Sequence, residues 1–275
     1  MDSQAVALWM LNRLPPEDVI FTNSRAGQNE SPITVEFVDR YSATVHPVVI
    51  VTPLVQDFLD AVEDPTFRLE RCAALGVTPQ TELTFPLLAQ LKGRFPSRKA
   101  QFCTEFLKLR PMTRWIRKNI SEEFERYSGV RRDESEPRRQ RQPREWDTWF
   151  DCWLNNPVVD WTKQMVFDFV RAHGQKVNPL YTLGFNRVGC APCVNNSKDD
   201  VLAWVQRFPE MIDKVRAWEQ QVGRTFFYPI VPGMEINWID DVVRWAQTAR
   251  GGRQADLLRV FNERPNCESK FGLCE

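Results

Sequence analysis

The stretch NPLYTLGFNRVGCAPCVNNSKDD, residues 178–200, places a loop, a pair of thiols and a helix start within 23 residues. Pro179 breaks regular structure and predicts the loop. Cys190 and Cys193 then form a Cys-x-x-Cys pair, a spacing at which two thiolates converge on one metal ion or close a redox disulfide. Ser197 is followed by two aspartates, which is typical of an N-cap with an acidic first turn. The sequence therefore predicts a thiol-bearing loop that leads directly into a helix.

A second pair of cysteines lies at the C-terminal end of the chain. Cys267 and Cys274 stand seven residues apart in a polar context. Together with Cys190 and Cys193 they supply the four ligands of a closed tetrahedral zinc site or an iron–sulfur cluster. We expect one shared site, either a [4Fe–4S] cluster or zinc.

Composition limits the class of protein. The chain has 275 residues, 43% of them hydrophobic, and a formal net charge of zero, so its overall charge attracts neither nucleic acid nor a membrane. No apolar run approaches the roughly 20 residues of a bilayer span, and the N-terminus lacks a secretory pattern. Seven cysteines, an odd number, argue against a disulfide framework and favour a reducing cytoplasm. The sequence contains two histidines, His46 and His173, so we do not expect histidine-based catalysis.

The first fifty residues alternate helix and strand. Residues 2–13 are apolar enough for a largely buried helix capped by Asp2 or Ser3, and residues 18–23 form a short apolar strand. A helix with proline at its first turn follows over 32–41, and the all-apolar run 48–51 is typical of a strand covered on both faces. This order predicts an α/β fold with a doubly wound, mostly parallel sheet.

The middle of the chain carries a helix and an arginine-rich segment. The helix spans about 98–119, with a bend at Pro111, and a strand is predicted at 124–127. Six arginines follow between Arg131 and Arg144. They indicate either a solvated loop or a cradle for a phosphate-bearing substrate, with nucleic acid as a further candidate partner, because arginine offers planar bidentate donors.

The C-terminal third is predicted to be helical beyond a last strand at 149–154. A helix enters at Asp160-Trp-Thr162 and ends at His173, where helix capping is the expected role of the histidine. Later helices are predicted at 198–208, 210–222 and 237–249. Their tryptophans are expected to pack in the core rather than to stack bases: Trp204, Trp218, Trp238 and Trp245.

In this order the segments resemble the phosphoadenosine-phosphosulfate (PAPS) reductase superfamily, a branch of the PP-loop ATP pyrophosphatase fold. Residues 102–111 (FCTEFLKLRP) resemble the family segment Cys-Thr-x-x-Leu-Lys-x-x-Pro, and residues 129–138 (GVRRDESEPR) resemble Gly-x-Arg-x-x-Glu-Ser-x-x-Arg. Asp2-Ser3 resembles the end of the Ser-Gly-Gly-x-Asp-Ser phosphate loop, and 18–30 resembles the second strand with its Asp-Thr-Gly-x-Glu turn. The resemblance implies an adenine nucleotide alpha hydrolase-like fold.

Two departures from the family pattern shape the expected function. The strand and Ser-Gly-Gly that would precede Asp2 are missing, which predicts a late-called or truncated start and an unpaired gap beside strand 18–23. Residues 271–275 lack the terminal Glu-Cys-Gly-Leu-His of sulfite-producing reductases. The chain is therefore more similar to the cluster-bearing branch, which includes the sulfur-transfer proteins of DNA phosphorothioate modification.

The resemblance implies roles for individual residues. ATP or PAPS is the expected nucleotide, with Mg²⁺ at the phosphate end near Asp2 and Ser3, and Lys108 is a weaker electrostatic candidate. Catalysis is assigned to Asp2, Ser3, Lys108 and Arg131. Nucleotide binding is assigned to Asp2, Ser3, Gly129, Arg131, Arg132, Glu134, Ser135 and Arg138. The cluster ligands are Cys190, Cys193, Cys267 and Cys274, with Cys103 as a rival ligand or redox thiol.

The expected domains are a nucleotide-binding α/β unit at 1–176 and a Cys-containing helical region at 177–275 packed on it. The leading interpretation is an enzyme of sulfur or adenylyl transfer, served by a sulfur donor or a thioredoxin-like reductant. Two alternatives stay open: a PAPS reductase that makes sulfite, and a non-catalytic nucleotide- or nucleic-acid-binding module held together by a metal.

Overall fold

The computed structural model describes residues 1–185, 188–231 and 233–248, and in them helices alternate with short strands. The helices are α1 Asp2–Leu11, α2 Pro32–Thr44, α3 Val55–Leu59, α4 Thr66–Ala74, α5 Phe85–Lys92, α6 Phe102–Thr104, α7 Arg110–Asn119, α8 Lys163–Ala172, α9 Lys198–Arg207, α10 Pro209–Val222 and α11 Ile239–Gln247. The strands are β1 Phe21–Asn23, β2 Val48–Ile50, β3 Glu125–Tyr127, β4 Arg144–Asp147 and β5 Cys152–Asn155. None of the helices in these ranges has the length and apolarity that a bilayer span requires.

The strands pair mainly in parallel, which confirms the α/β class. β1 pairs with β2, and β3 pairs with β5, both in parallel, whereas β4 runs antiparallel to β5. In the described part of the chain they form two sheets, ordered β1-β2 and β3-β5-β4. β1 and β3 are thus edge strands, each hydrogen-bonded to a strand on one side.

A cavity of about 970 Å³ separates these two edges. Its wall includes Phe21 and Thr22 of β1, Glu125 and Arg126 of β3, and the flank of α1 near Val6. The gap expected beside strand 18–23 is therefore present as an open space between the sheets. It continues toward the loops that follow the carboxyl ends of β1 and β3.

Some local structure differs from the sequence-based expectation. The N-cap of α1 is Met1, which makes no side-chain capping hydrogen bond, so neither Asp2 nor Ser3 is the N-cap. β2 is not covered on both faces, since Ile50 is 38% exposed at the edge of a two-stranded sheet. The long middle helix is divided by a π-helical turn over Glu105–Leu109, directly before Pro111, where proline cannot donate a backbone hydrogen bond.

The C-terminal helices share a core with the first half of the chain. α10 packs against α5 and α9, and α11 packs against α9. One cluster of buried side chains joins Phe85, Leu88 and Phe106 to Trp204 and Trp218. The tryptophan prediction is confirmed for these two; Trp245 packs against the same core while partly buried, whereas Trp238 is 43% exposed. The boundary at 176/177 stays a prediction, although residues on both sides contribute to this core.

Candidate functional site

The N-terminus of α1 lies against the loop that follows β3. A Cβ atom placed on Gly129 would lie 2.7 Å from the backbone nitrogen of Ser3 and 2.7 Å from the carbonyl carbon of Asp2. Real Cβ contacts are not that short, so glycine is required here for close backbone approach. The structure thus brings together Asp2-Ser3 and Gly129, which are separated by more than 120 residues in the sequence.

A buried ion pair ties the same two elements together. Arg131 Nε lies 2.6 Å from Asp2 Oδ1, and both side chains are nearly inaccessible. The guanidinium also contacts Asp133 at 2.7 Å and Glu134 at 3.6 Å. Burial alone would lower the pKa of Arg131, but these carboxylates raise it. Arg131 and Asp2 therefore neutralise each other and hold the loop on α1, which favours a positioning role for both over direct contact with a phosphate.

Arg138 and Ser135 present hydrogen-bonding groups that the described residues leave unused. Arg138 is 4% exposed, and its Nη1 donates to Glu134, whereas its Nε and Nη2 have no partner among the described residues. The buried Ser135 hydroxyl is also without a partner there. Buried donors of this kind cost free energy unless a ligand or water satisfies them. This part of the loop is thus suited to an anion.

The remaining arginines of 131–144 are ion-paired at the surface. The pairs are Arg132 with Asp160, Arg139 with Glu136, Arg141 with Glu145, and Arg144 with Glu125. Opposite charges offset each of these cations, so the stretch does not form a continuous positive surface. Arg132, predicted to bind phosphate, also donates from Nε to the carbonyl of Arg141 at 2.9 Å.

An asparagine that the sequence analysis did not single out supports this loop. Asn156 is fully buried, and its Oδ1 accepts a hydrogen bond from the Ser128 hydroxyl at 2.6 Å. Its Nδ2 donates to the Gln142 carbonyl at 2.8 Å and to Glu145 Oε1 at 3.0 Å. The Asn-Asn-Pro turn after β5 was the available signal, since such residues mark turns where side chains bond the backbone.

The Cys-x-x-Cys loop is held against the loop after β1. The backbone of Ala191 donates to the Asn29 carbonyl at 3.0 Å, and Asn29 Nδ2 donates to the Pro192 carbonyl at 3.0 Å. The backbone N–H of Cys193 donates to Asn196 Oδ1 at 2.6 Å, which fixes the turn after the second thiol. Ser197 then caps α9, as predicted, in a reciprocal pair with Asp200. These contacts fix Cys190 and Cys193 beside the candidate site.

Four chemically active groups influence each other at this point. Burial raises the pKa of Glu30 to about 7, Lys108 opposes the shift and Cys190 adds to it. Burial raises the pKa of Cys103 to about 12, with Cys190 contributing in the same direction. Lys108 and Cys103 are thus placed near the Cys-x-x-Cys loop. Cys103 is a protonated thiol at neutral pH when no metal is bound, which argues against a ready nucleophile.

The metal prediction is only partly covered by the described residues. Cys267 and Cys274 lie outside them, so the shared four-cysteine site is a prediction that the structure does not test. Among the residues that are described, no three histidine, cysteine, aspartate or glutamate side chains converge as a metal site.

The cavity connects these parts. Its lining includes Ser3 and Gly129 at one end and Glu30, Asn178 and Val188 at the other. Ligands of open α/β folds bind outside the carboxyl ends of parallel strands, and here residues that follow β1 and β3, such as Glu30 and Gly129, line the cavity. The volume is also in the range of small-molecule sites, about 300–1,000 Å³. The cavity has room for a nucleotide; Ser135 and Arg138 lie further along the loop that begins at its Gly129 wall, and Cys190 lies beside its lining residue Glu30.

Comparison with known proteins gives the family. The model of the phosphoadenosine phosphosulfate reductase domain matches residues 74–196, which include Cys103, Lys108, the 129–138 loop and both cysteines of the Cys-x-x-Cys pair. An uncharacterised 37.8 kDa protein of Escherichia phage 186 is 30% identical over 98% of this chain and 93% of its own length.

Two similar proteins are adenosine 5'-phosphosulfate reductases. The one from Allochromatium vinosum is 34% identical over 36% of this chain, and the one from Bacillus mycoides is 30% identical over 47%. The matched parts are 36% and 57% of the lengths of those enzymes. The domain match, the order of the motifs and these relatives agree that residues 74–196 belong to the phosphoadenosine phosphosulfate reductase superfamily.

Proposed function

We propose that the protein binds an adenine nucleotide in the cavity, with its phosphate or sulfate group reaching the adjoining loop at Ser135 and Arg138, and that it catalyses sulfur or adenylyl transfer. The observation that carries the proposal is the pair of buried, unsatisfied groups in the family loop, Arg138 Nε/Nη2 and Ser135 Oγ. An anion would satisfy all of them, and charge-assisted bonds from arginine to phosphate or sulfate are among the stronger hydrogen bonds.

In this proposal each residue has a defined task. Arg138 and Ser135 bind the anionic group, and Glu134 orients the Arg138 guanidinium through Nη1. Asp2 and Arg131 hold the loop and α1 in register, and Gly129 lets the two backbones approach. Ser3, at the cavity wall, lies near the helix N-terminus, where the helix dipole favours negative charge. Mg²⁺ would accompany ATP through its phosphates.

Calorimetric titration with adenosine 5'-phosphosulfate, PAPS and ATP tests the binding site. We expect Arg138→Gln to weaken binding of the cognate nucleotide by roughly 10- to 100-fold, since a bond to a charged group contributes about 1.5–3 kcal/mol. Ser135→Ala should weaken it less, and it leaves the Arg138–Glu134 pair in place. Arg139→Gln is the matched control, because that side chain is 68% exposed and ion-paired at the surface.

The outcomes separate the hypotheses. Unchanged affinity in both Arg138→Gln and Ser135→Ala would remove this loop from the binding site. Tight binding of ATP with no binding of sulfonucleotides would favour adenylyl transfer. Thioredoxin-dependent release of sulfite from PAPS or adenosine 5'-phosphosulfate would instead favour the reductase, in line with the names of the relatives.

The cofactor is the second part of the proposal. A [4Fe–4S] cluster on Cys190, Cys193, Cys267 and Cys274 would supply a redox-active or electrostatic centre beside the nucleotide. The support is the four-thiol pattern and the fixed position of the Cys-x-x-Cys loop next to the cavity.

Metal analysis of anaerobically purified protein tests the cofactor. We expect roughly four irons per chain and a broad absorbance near 400 nm. Both should be lost in Cys190→Ser and in Cys274→Ser but kept in Cys72→Ser, which removes a thiol buried in the core. One zinc per chain would rule out the cluster, and full iron content in both ligand variants would direct attention to Cys103.

A further inference from the structure

A second group of cations lies away from the candidate site, on α4, α5 and the start of α7. Lys92 Nζ is 4.5 Å from the ring centroid of Phe106 and 5.6 Å from that of Phe102. The Arg94 guanidinium lies 5.3 Å from the Phe102 centroid, and that of Arg110 lies 5.6 Å from the Phe106 centroid. Arg68 completes the group, 5.8 Å from the same Phe106 ring. We call Arg68, Lys92, Arg94 and Arg110 the cationic cluster.

The cationic cluster has an excess of positive charge. Glu105 is the carboxylate whose charge opposes the lowering of the Lys92 pKa, and this carboxylate is already ion-paired with Arg110 at 2.8 Å. Burial lowers the pKa of Lys92, and Arg68, Arg94 and Arg110 lower it further, against the opposing effect of Glu105. Within the described residues Lys92 and Arg94 have no ion-pair partner. The fold thus brings like charges together at a cost in free energy.

Aromatic rings explain how the cationic cluster is tolerated. Each cation lies over a phenylalanine ring face, whose negative quadrupole partly offsets the repulsion. Arg68 is fixed further, because its Nη1 donates to the Phe58 carbonyl and its guanidinium lies 4.4 Å from the Phe58 centroid. This is unlike residues 131–144, where a carboxylate accompanies every arginine. Apart from the Arg110–Glu105 pair, no described carboxylate forms an ion pair with the cluster, which leaves it able to accept an external anion.

Accessible rings are interleaved with these cations. Phe67 is 67% exposed with Arg71 above it at 5.9 Å. Phe102 is half-buried under Lys92 and Arg94, and the half-buried Trp149 has Arg110 at 5.5 Å. Cations alternating with accessible aromatic faces are the features that single-stranded nucleic acids contact, through phosphates and stacked bases.

We propose that the cationic cluster, with Phe67, Phe102 and Trp149, binds a single strand of nucleic acid. A strand fits better than a small anion because the cations come from three helices and from the turn after α5, and because they are partly solvent-exposed. None of them lines the cavity of the candidate site, so this surface and the nucleotide site are separate. Electrostatic contact with phosphates would provide the affinity, and stacking would position the bases.

Fluorescence anisotropy with a labelled oligothymidylate of about 15 nucleotides, a length spanning the usual site sizes, tests the proposal. We expect the double variant Lys92→Gln/Arg94→Gln to weaken binding at least tenfold at low salt. The slope of log Kd against log salt should fall by roughly 1.4, about 0.7 for each cation removed. Phe67→Ala, at an exposed position, should weaken binding without changing that slope.

Matched controls and competitors decide the outcome. The double variant Arg139→Gln/Arg171→Gln also removes two positive charges, but from exposed, ion-paired sites, and should bind like the unmodified protein. Equal losses in the two double variants would show a non-specific charge effect and overturn the proposal. It would also be overturned if polyglutamate or pyrophosphate displaced the strand as well as unlabelled oligothymidylate does.

Discussion

Arginines of one short segment differ in what their guanidinium groups contact. Arg131 is neutralised by carboxylates of its own loop and by Asp2, whereas Arg138 uses one nitrogen and keeps Nε and Nη2 for something else. Both are arginines of the same ten-residue motif, residues 129–138, so the sequence alone does not distinguish them. The difference arises from the position of Asp2, at the far end of the chain, which only the folded structure reveals.

Glu219 is a buried carboxylate that organises backbone rather than substrate. Its Oε1 accepts the Phe226 N–H at 2.7 Å, and its Oε2 accepts the Ile239 N–H at 2.9 Å. One side chain therefore connects α10 to the loop after it and to the start of α11. Burial raises the pKa of Glu219, and Asp240 and Asp241 add to the shift, although both backbone hydrogen bonds oppose it.

This shift predicts a pH-dependent stability. A carboxyl whose pKa is higher in the folded than in the unfolded protein stabilises the fold below its unfolded pKa, and that contribution is lost as pH rises through the folded value. We therefore expect the unmodified protein to lose stability relative to Glu219→Gln as pH rises above the ordinary value of 4.5. Urea unfolding across pH 4–8 measures it.

The substitution has a constant effect that must be separated from the titration. Glutamine accepts from one backbone N–H through its oxygen and leaves the other unsatisfied. This adds a pH-independent loss of about 1–3 kcal/mol, the cost of an unsatisfied buried group, on which the titration is superimposed. Glu210→Gln, an exposed site of the same helix, controls for the loss of one negative charge. A stability difference that is constant with pH would contradict the predicted titration.

At the scale of elements, the helices with local start and stop signals could be predicted from the sequence. Thr162 caps α8 by accepting from the Met165 N–H, Ser197 caps α9, and Gly223 ends α10 in the left-handed conformation. These signals lie within a few residues of the helix end that they determine. α8 and α10 accordingly lie close to their predicted bounds.

Elements that depend on distant partners could not be predicted in the same way. β4 begins at Arg144, the last residue of the stretch interpreted as a solvated loop or a phosphate cradle, and it is a strand because it pairs with β5, where Trp146 faces Trp153. The two indoles contact each other edge to face with centroids 5.3 Å apart. Cross-strand pairs of this kind stabilise a strand that its own charged sequence does not favour.

In the candidate site too, features within one segment could be predicted, whereas contacts between distant segments could not. The resemblance identified Gly129, Ser135 and Arg138 as members of one loop, and the loop is one unit in the structure. What the sequence could not give is the contact of Gly129 with α1 and the proximity of Glu30 to Cys190. The first joins the loop after β3 to α1, and the second joins the loop after β1 to the Cys-x-x-Cys loop, so both depend on contacts between segments far apart in the sequence.

For the whole molecule, the two sheets and the helical core contribute different properties. The cavity between β1 and β3 is open to solvent. Beside it, α1 and α8 pack around a small core of their own that includes Val6 and Val166. The larger core unites the middle helices with α9, α10 and α11. Described side chains from both sides of the predicted 176/177 boundary thus pack in one core.

Phe226 tests whether this shared core makes the molecule unfold as one unit. It is 1% exposed, and its ring centroid lies 5.3 Å from that of Phe95 and 6.1 Å from that of Trp218, one from each predicted unit. Because Phe226→Ala leaves a cavity at the junction, we expect it to lower the free energy of unfolding by about 3–5 kcal/mol.

The loss should shift one cooperative transition, recorded at the same denaturant midpoint by tryptophan fluorescence and far-ultraviolet circular dichroism. Tyr228→Ala, two residues away and 76% exposed, should leave the midpoint nearly unchanged. If Phe226→Ala separates unfolding into two transitions, the unit at 177–275 can unfold while 1–176 stays folded. A single transition that moves as a whole would instead mean that the Cys-x-x-Cys loop and the cavity proposed to bind the nucleotide are kept in place by the same folding event.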